Sequence, residues 1–322
     1  MAPMNLRWTK RRVLWTGGAL LIAGGVLLAV FLPSAREPVY QGRGLSEWID
    51  LANGLNPQIA QTSAWASVQA IGPKGLPWLL AELEDKKSGR RKALFRELMG
   101  MTPQEPEARW ARARMGLALL GDAALPAIPE LAGRLSDSNN SVAARFALDV
   151  IAVGVKSHLV NTLADLTNVI PPASSNAHAA VLEAYLAAVR GTSEWARVES
   201  LYALGMYSED ATRILPTVLS CTRDHSAMVR GAAAWALGKF AREPVPVIPE
   251  LIRLLDDPAA HVRLNAAFAL GQFYRQAKTA VPRLLEARRD PDPEVRKVAN
   301  ESLDKIDPET AAAIPDLPAF KP

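Results

Sequence analysis

Cysteine is nearly absent. Cys221 is the single thiol in 322 residues, so an intramolecular disulfide is excluded. A chain of this length buries enough surface to fold without one. Cys221 reads instead as a small buried apolar residue. Histidine is almost as scarce. His158, His178, His225 and His261 never stand three or four residues apart, and none belongs to a His-Glu pair. With no cysteine cluster either, no metal site is expected. There is no G-x-S-x-G elbow and no phosphate-cradling glycine loop. Gly17-Gly18 and Gly24-Gly25 belong to an apolar run. The carboxylates are scattered, as on solvated helix faces, so the chain reads as non-enzymatic and free of cofactors. Basic excess is also missing from most of the chain. Residues 1–43 hold six Lys/Arg and one acidic residue, whereas the whole chain carries only +4. The remainder has no cation surplus with which to release counterions from a nucleic acid, and that partner class is disfavoured.

A register of 33 residues fills the second half. Arg197, Arg230, Arg263 and Arg296 share one column, and Leu204, Leu237, Leu270 and Leu303 another. Pro216, Pro249 and Pro282 repeat at the same step, as do Gly205, Gly238, Gly271 and Asp224, Asp257, Asp290. A fixed period of this size marks a stacked-repeat architecture. Each unit reads as two helices. The first is predicted to start near the proline, whose missing N–H is harmless in a first turn. Its columns Leu215/Ile248/Val281, Val218/Leu251/Leu284 and Leu219/Ile252/Leu285 are offset by i, i+3 and i+4, one face of a helix. A turn with Asp257-Pro258 or Asp290-Pro291-Asp292-Pro293 follows. The second helix buries Val229, Ala233, Ala236 and Leu237, and Gly238 suits a left-handed helix end.

The order of an Asp, Val-Arg, two small residues and Ala-Leu-Gly resembles the HEAT repeat. The resemblance is closest over 194–306, holds over 110–154 and is fainter over 60–100. It implies an all-α fold: an α-solenoid of HEAT-like helical hairpins. It also implies that Asp224 and Arg230, Asp257 and Arg263, and Asp290 and Arg296 form a structural ladder between adjacent units rather than a phosphate site. The pattern has departures. Pro129 and Arg145 lie 16 residues apart, against 14 for Pro249 and Arg263. Residues 86–110 and 155–193 lose the register. Lacking alternation, they are not strands, and they read as degenerate repeats or inserted helices.

Residues 13–32 carry no charge. At about 1.5 Å per residue they span roughly 30 Å, a bilayer core. Arg7, Lys10, Arg11 and Arg12 precede them, which predicts a cytoplasmic N-terminus (1–12), a single transmembrane helix (13–32) and an extracytoplasmic repeat domain. A cleaved signal peptide is the competing reading. Its apolar region would be shorter, about 7–15 residues, and the best cut, after Ala35, would put Pro33 at −3. Residues 33–44 read as an extended linker, 45–306 as the solenoid opened by a capping helix at Leu45, and 307–322 as a loose Pro-rich tail. The stretch from Glu37 to Gly42, followed by Leu45-Ser46-Glu47-Trp48, resembles the juxtamembrane segment of bacterial membrane-anchored HEAT proteins of unassigned function.

One constellation remains. At 100° per residue, the positions at −1, +2 and +6 from the Val column share one side of each second helix. They are Trp195, Val198, Tyr202; Met228, Gly231, Trp235; His261, Leu264, Phe268; and Glu294, Lys297, Glu301. By resemblance these positions line the concave surface. Trp195, Tyr202, Met228, Trp235, His261 and Phe268 are thus candidate contacts for a protein or peptide partner. The other possibility is that each ring is buried against the next repeat. The function expected is a membrane-anchored scaffold. The alternatives are a chromophore-handling enzyme, because some bilin lyases use similar repeats, and a self-assembling structural protein.

Overall fold

The structure, a computed structural model, describes residues 36–52, 60–84, 106–153 and 174–313. The apolar run 13–32 lies outside them. The chain enters through a short antiparallel hairpin, β1 (Val39–Tyr40) and β2 (Arg43–Gly44), turned by Gln41 and Gly42 at positive φ. The extended linker expected over 33–44 is therefore replaced, from Val39 on, by a hairpin fixed to the first helix. Trp48 Nε1 donates to the Tyr40 carbonyl at 3.0 Å, and Leu45 N donates to the Pro38 carbonyl at 3.0 Å.

Helices follow in pairs. They are α1 (Leu45–Ala52), α2 (Ala60–Ile71), α3 (Leu76–Glu82), α4 (Pro106–Leu120), α5 (Ile128–Arg134), α6 (Ser141–Val153), α7 (Ser175–Val189) and α8 (Glu194–Leu204). The register then brings α9 (Ala211–Cys221), α10 (Ala227–Leu237), α11 (Pro244–Leu254), α12 (Ala260–Gly271), α13 (Val281–Ala287), α14 (Pro293–Ile306) and α15 (Pro308–Ala313). The second helices α4, α6, α8, α10, α12 and α14 stack into one continuous layer, and the first helices α3, α5, α7, α9, α11 and α13 form the other. The core is the single apolar seam between them. The segment that lost the register around 175–193 is thus a first helix, α7, paired with α8. The segment around 106–110 opens a second helix, α4.

Several local expectations change. The helices around Pro216 and Pro249 start five residues before the proline, at Ala211 and Pro244, so these prolines lie in the second turn. Only Pro282 sits in a first turn, because a 3-10 segment (Tyr274–Ala280) occupies the preceding positions. Start signals lie elsewhere. Ser174, Ser193 and Ser226 hydroxyls accept from Ala177, Ala196 and Val229 N–H groups, and Asp292 caps α14. The tail is not loose throughout. Asp307 accepts from Thr310 N and Oγ1, and this starts α15, which packs on α14.

Gly238 does not take a left-handed conformation; its φ is −61°. The reason for glycine is proximity. A Cβ on Gly238 would stand 3.0 Å from both Cα and Cβ of Ala269. Gly205 meets Trp235 and Ala236 in the same way, and Gly271 meets Ser302. The column is a seam along which second helices touch backbone to backbone. The first helices of successive repeats in the register touch far less. In a stack, the layer with the shorter spacing is the inside of the curve, so the second helices form the inner face.

One run of described residues, Ala108–Arg134, is long and apolar enough to cross a membrane, but more than half of its most apolar 18-residue stretch is buried. It is broken at Gly121, whose φ is +55°, and it is the core pair α4–α5.

Candidate functional site

The arginine ladder is built from one motif per repeat. The Asp257 carboxylate accepts from Ala259 N at 3.0 Å, closing the turn, and from Arg230 of the preceding unit at 2.7 and 2.9 Å. Asp290 repeats this with Asp292 N and Arg263. The pairs six residues apart interact differently from the expectation. Arg230, Arg263 and Arg296 each donate to the backbone carbonyl of Asp224, Asp257 and Asp290, not to the carboxylate. The carboxylate goes to the arginine 27 residues earlier, and this adds Arg197, paired with Asp224 at 3.1 Å, as the first rung. Burial would push the Asp257 and Asp290 carboxyls up. The arginine hydrogen bonds and turn N–H groups outweigh it, and both end below the usual value. Arg197, Arg230 and Arg263 are each paired with a carboxylate of the next unit, and Arg296, the last of the column, holds the Asp290 and Pro291 carbonyls.

The inner face is different. Trp195 and Met228 keep 46% and 47% of their surface exposed, and His261 is exposed with Nε2 3.1 Å from the Ala227 carbonyl. Tyr202, Trp235 and Phe268 are half-buried. Trp235 meets Tyr202 edge to face, with ring centroids 5.1 Å apart. Val198 and Gly231 are buried, and Gly231 is small because His261 and Asn265 of the next unit lie on it. The six candidates therefore divide into an open row, Trp195–Met228–His261, and a row of rings wedged between repeats.

The pattern extends beyond the residues singled out from the sequence. Phe146 on α6 stands immediately before Ala147-Leu148, as Trp235 stands before Ala236-Leu237, so it continues the ring row. Cations cover these rings: Arg145 and Arg114 lie 4.4 and 5.5 Å from the Phe146 centroid, Lys239 lies 4.7 Å from Trp235, and Lys305 lies 5.9 Å from Phe268. Behind Phe146 lies a buried polar hub. Asp149 accepts from Tyr185 at 2.8 Å and from Tyr207 at 3.3 Å, and Arg145 binds Glu199 at 2.8 Å. Burial pushes the Asp149 carboxyl up to about 6, despite the two hydroxyls and Arg145. Its signal in the sequence is Ala147-Leu148-Asp149, an aspartate where later repeats have the glycine of Ala-Leu-Gly.

The outer layer holds a cleft of about 380 Å³ between α3 and α5, lined by Leu76, Leu80 and Pro126 among others. Its Arg134 is held by the Leu80 carbonyl, Glu84 and Glu130. Among the described residues no group of three or more His, Cys, Asp or Glu is placed to hold a metal.

Paired helices, a glycine seam and an Arg–Asp ladder define an α-solenoid. Residues 248–318 match the family described as HEAT repeats, and residues 214–243 match HEAT repeat. The chain carries HEAT repeats over these residues. No curated protein sequence matches it. Among solved structures it is similar to an engineered protein (16% identity, 81% of this chain and 95% of that one, TM-score 0.41). It is also similar to a designed armadillo repeat protein in complex with peptide (KR)4 (18% identity, 72% and 99%, TM-score 0.40). A third is Kap121p bound to Nup53p, at 17% identity and TM-score 0.47 over 81% of this chain; the match spans 29% of that much longer protein.

Proposed function

We propose that the chain is a non-enzymatic binding scaffold, anchored in a membrane by residues 13–32 with its N-terminus in the cytoplasm and its repeats outside. The observation that carries the binding role is the open row on the inner face. Two large apolar side chains, Trp195 and Met228, stand exposed in neighbouring repeats whose other second-helix positions are largely packed. Aromatic and methionine side chains in this setting serve as anchors for a partner's apolar groups. The uncharged 20-residue run and the cations before it support the anchor.

The test is crosslinked affinity capture from solubilised membranes with wild-type protein and the Trp195→Ala/Met228→Ala variant. Both side chains are half out of the fold, so the variant keeps its thermal unfolding midpoint. A partner held by the wild type and lost by the variant supports the reading. A partner held equally by both places binding elsewhere. A reporter enzyme active only outside the cytoplasm, fused after Pro322, tests the topology; an inactive fusion overturns it.

A further inference from the structure

The inner face carries cations that differ from those of the ladder. Lys239, in the turn after α10, and Lys305, in the last turn of α14, occupy the same register position, four residues beyond the ring row, with Met206 and Gln272 at the equivalent places just after α8 and α12. Each ammonium lies over a ring, Trp235 for Lys239 and Phe268 for Lys305, and Arg114 does the same over Phe146. Among the described residues none of the three forms an ion pair, whereas Arg197, Arg230 and Arg263 are each neutralised by an aspartate. Two of the acids on this face are engaged: Glu199 is bound by Arg145, and Glu194 accepts from Ser226. Glu294 and Glu301 share α14 with Lys305, Glu301 one turn before it, and among the described residues Lys305 forms no ion pair with either.

We infer that this face takes an extended acidic segment of a partner polypeptide, with a bulky apolar side chain against Trp195 and Met228 and carboxylates on Lys239 and Lys305. The inference rests on the inner face being the binding face and adds the chemistry of what binds. A cation held over a ring has already lost part of its freedom and hydration, so a carboxylate meets it in place. The spacing of the acids follows from the stack. The two lysines are rooted two helices apart, but their ammoniums rest on Trp235 and Phe268, rings of adjacent helices, and adjacent helices sit about 8–10 Å apart. An extended chain rises about 3.3 Å per residue and alternates its side chains, so the acids fall about two to four residues apart, an even number that keeps them on one face. A nucleic acid fits less well. Outside residues 1–43 acidic residues slightly outnumber Lys/Arg, and a phosphate backbone needs a surplus of cations.

The experiment is selection from a random displayed peptide library on the full-length protein in detergent micelles, repeated with Lys239→Glu/Lys305→Glu. Both lysines are exposed, and unchanged thermal unfolding confirms that the variant is folded. The expected result is enrichment of peptides with two acidic residues about two to four apart, whose affinity, read by fluorescence anisotropy, falls about tenfold on the charge reversal. Enrichment of neutral or basic peptides, or affinity untouched by the reversal, overturns the acidic segment. If that binding still disappears in Trp195→Ala/Met228→Ala, the inner face remains the binding face. Failure to retain any peptide also overturns the inference, as does retention of a single-stranded oligonucleotide in preference to peptide; the capture experiment then decides the broader reading alone.

Discussion

Arg230 and Asp257 form a two-pronged ion pair across a repeat boundary, with Nε and Nη2 donating at 2.7 and 2.9 Å, while the third guanidinium nitrogen, Nη1, holds the Asp224 carbonyl of its own unit. One side chain thus fixes the turn of one repeat and the start of the next. Arg230→Ala leaves a carboxylate with 4% exposure unpaired. The expected cost is about 2–3 kcal/mol in urea unfolding, below the range for fully buried pairs because the arginine is partly exposed. Arg230→Lys keeps the charge, loses the fork and costs less. An unchanged midpoint for Arg230→Ala would remove the ladder from the account of stability.

Asp149 and the ladder aspartates respond to pH in opposite directions. Asp257 and Asp290 have lowered pKa values, so their contribution is present above the unfolded value of 3.8 and is lost as pH falls through the folded values. Asp149 is raised to about 6 by burial, so its contribution is full below 3.8 and lost as pH rises through about 6. Asp149→Asn holds a neutral group in the hub at every pH. Relative to wild type it gains about 2–3 kcal/mol between pH 4 and 7. A stability difference that stays flat over that window would show that the carboxyl titrates normally.

Glycine-to-alanine changes take opposite signs along the chain. An exposed helical glycine costs about 1 kcal/mol relative to alanine, and a Cβ on Gly133 in α5 meets nothing within 4 Å. Gly133→Ala stabilises by about 0.5–1 kcal/mol. Gly238→Ala presses on the Ala269 backbone at 3.0 Å and destabilises by about 1–2 kcal/mol. Thermal unfolding of the two variants reads both signs, and equal signs would contradict the seam.

Cys221 is buried, and burial pushes its thiol up to about 11. Its modification by a thiol reagent at pH 7 is slow in the native protein and becomes rapid only as α9 opens. The labelling rate in rising urea then follows unfolding of the central repeats. Fast labelling without denaturant would show that α9 frays.

The repeat architecture was legible because the 33-residue register copies one contact at every boundary: Ala269 on Gly238, Ser302 on Gly271 and the Arg–Asp rungs. Local sequence does not encode which partner a group finds. The spacing of Asp224 and Arg230 suggested a contact at six residues, yet the carboxylate partner of Arg230 lies 27 residues on, at Asp257. The glycine column was visible, but its cause, a neighbouring backbone, was not. The stripe was half legible. Helical periodicity put six side chains on one side, while their exposure depends on the neighbouring repeats: Trp195 is left open, and Trp235 is wedged against Tyr202 and Gly205 of the preceding unit. The hub at Asp149 joins residues 36 and 58 positions away, and no period marks such a meeting.

The glycine seam has a mechanical consequence. Second helices in backbone contact along Gly205, Gly238 and Gly271 can neither be compressed further nor slide without collision, whereas the looser first helices can spread. The molecule then flexes as a book does, with its spine on the inner face. Bending opens grooves on the outside while the distances between Trp195, Met228 and His261 stay nearly constant, so whatever rests on that row meets a ruler of fixed pitch on a body that bends.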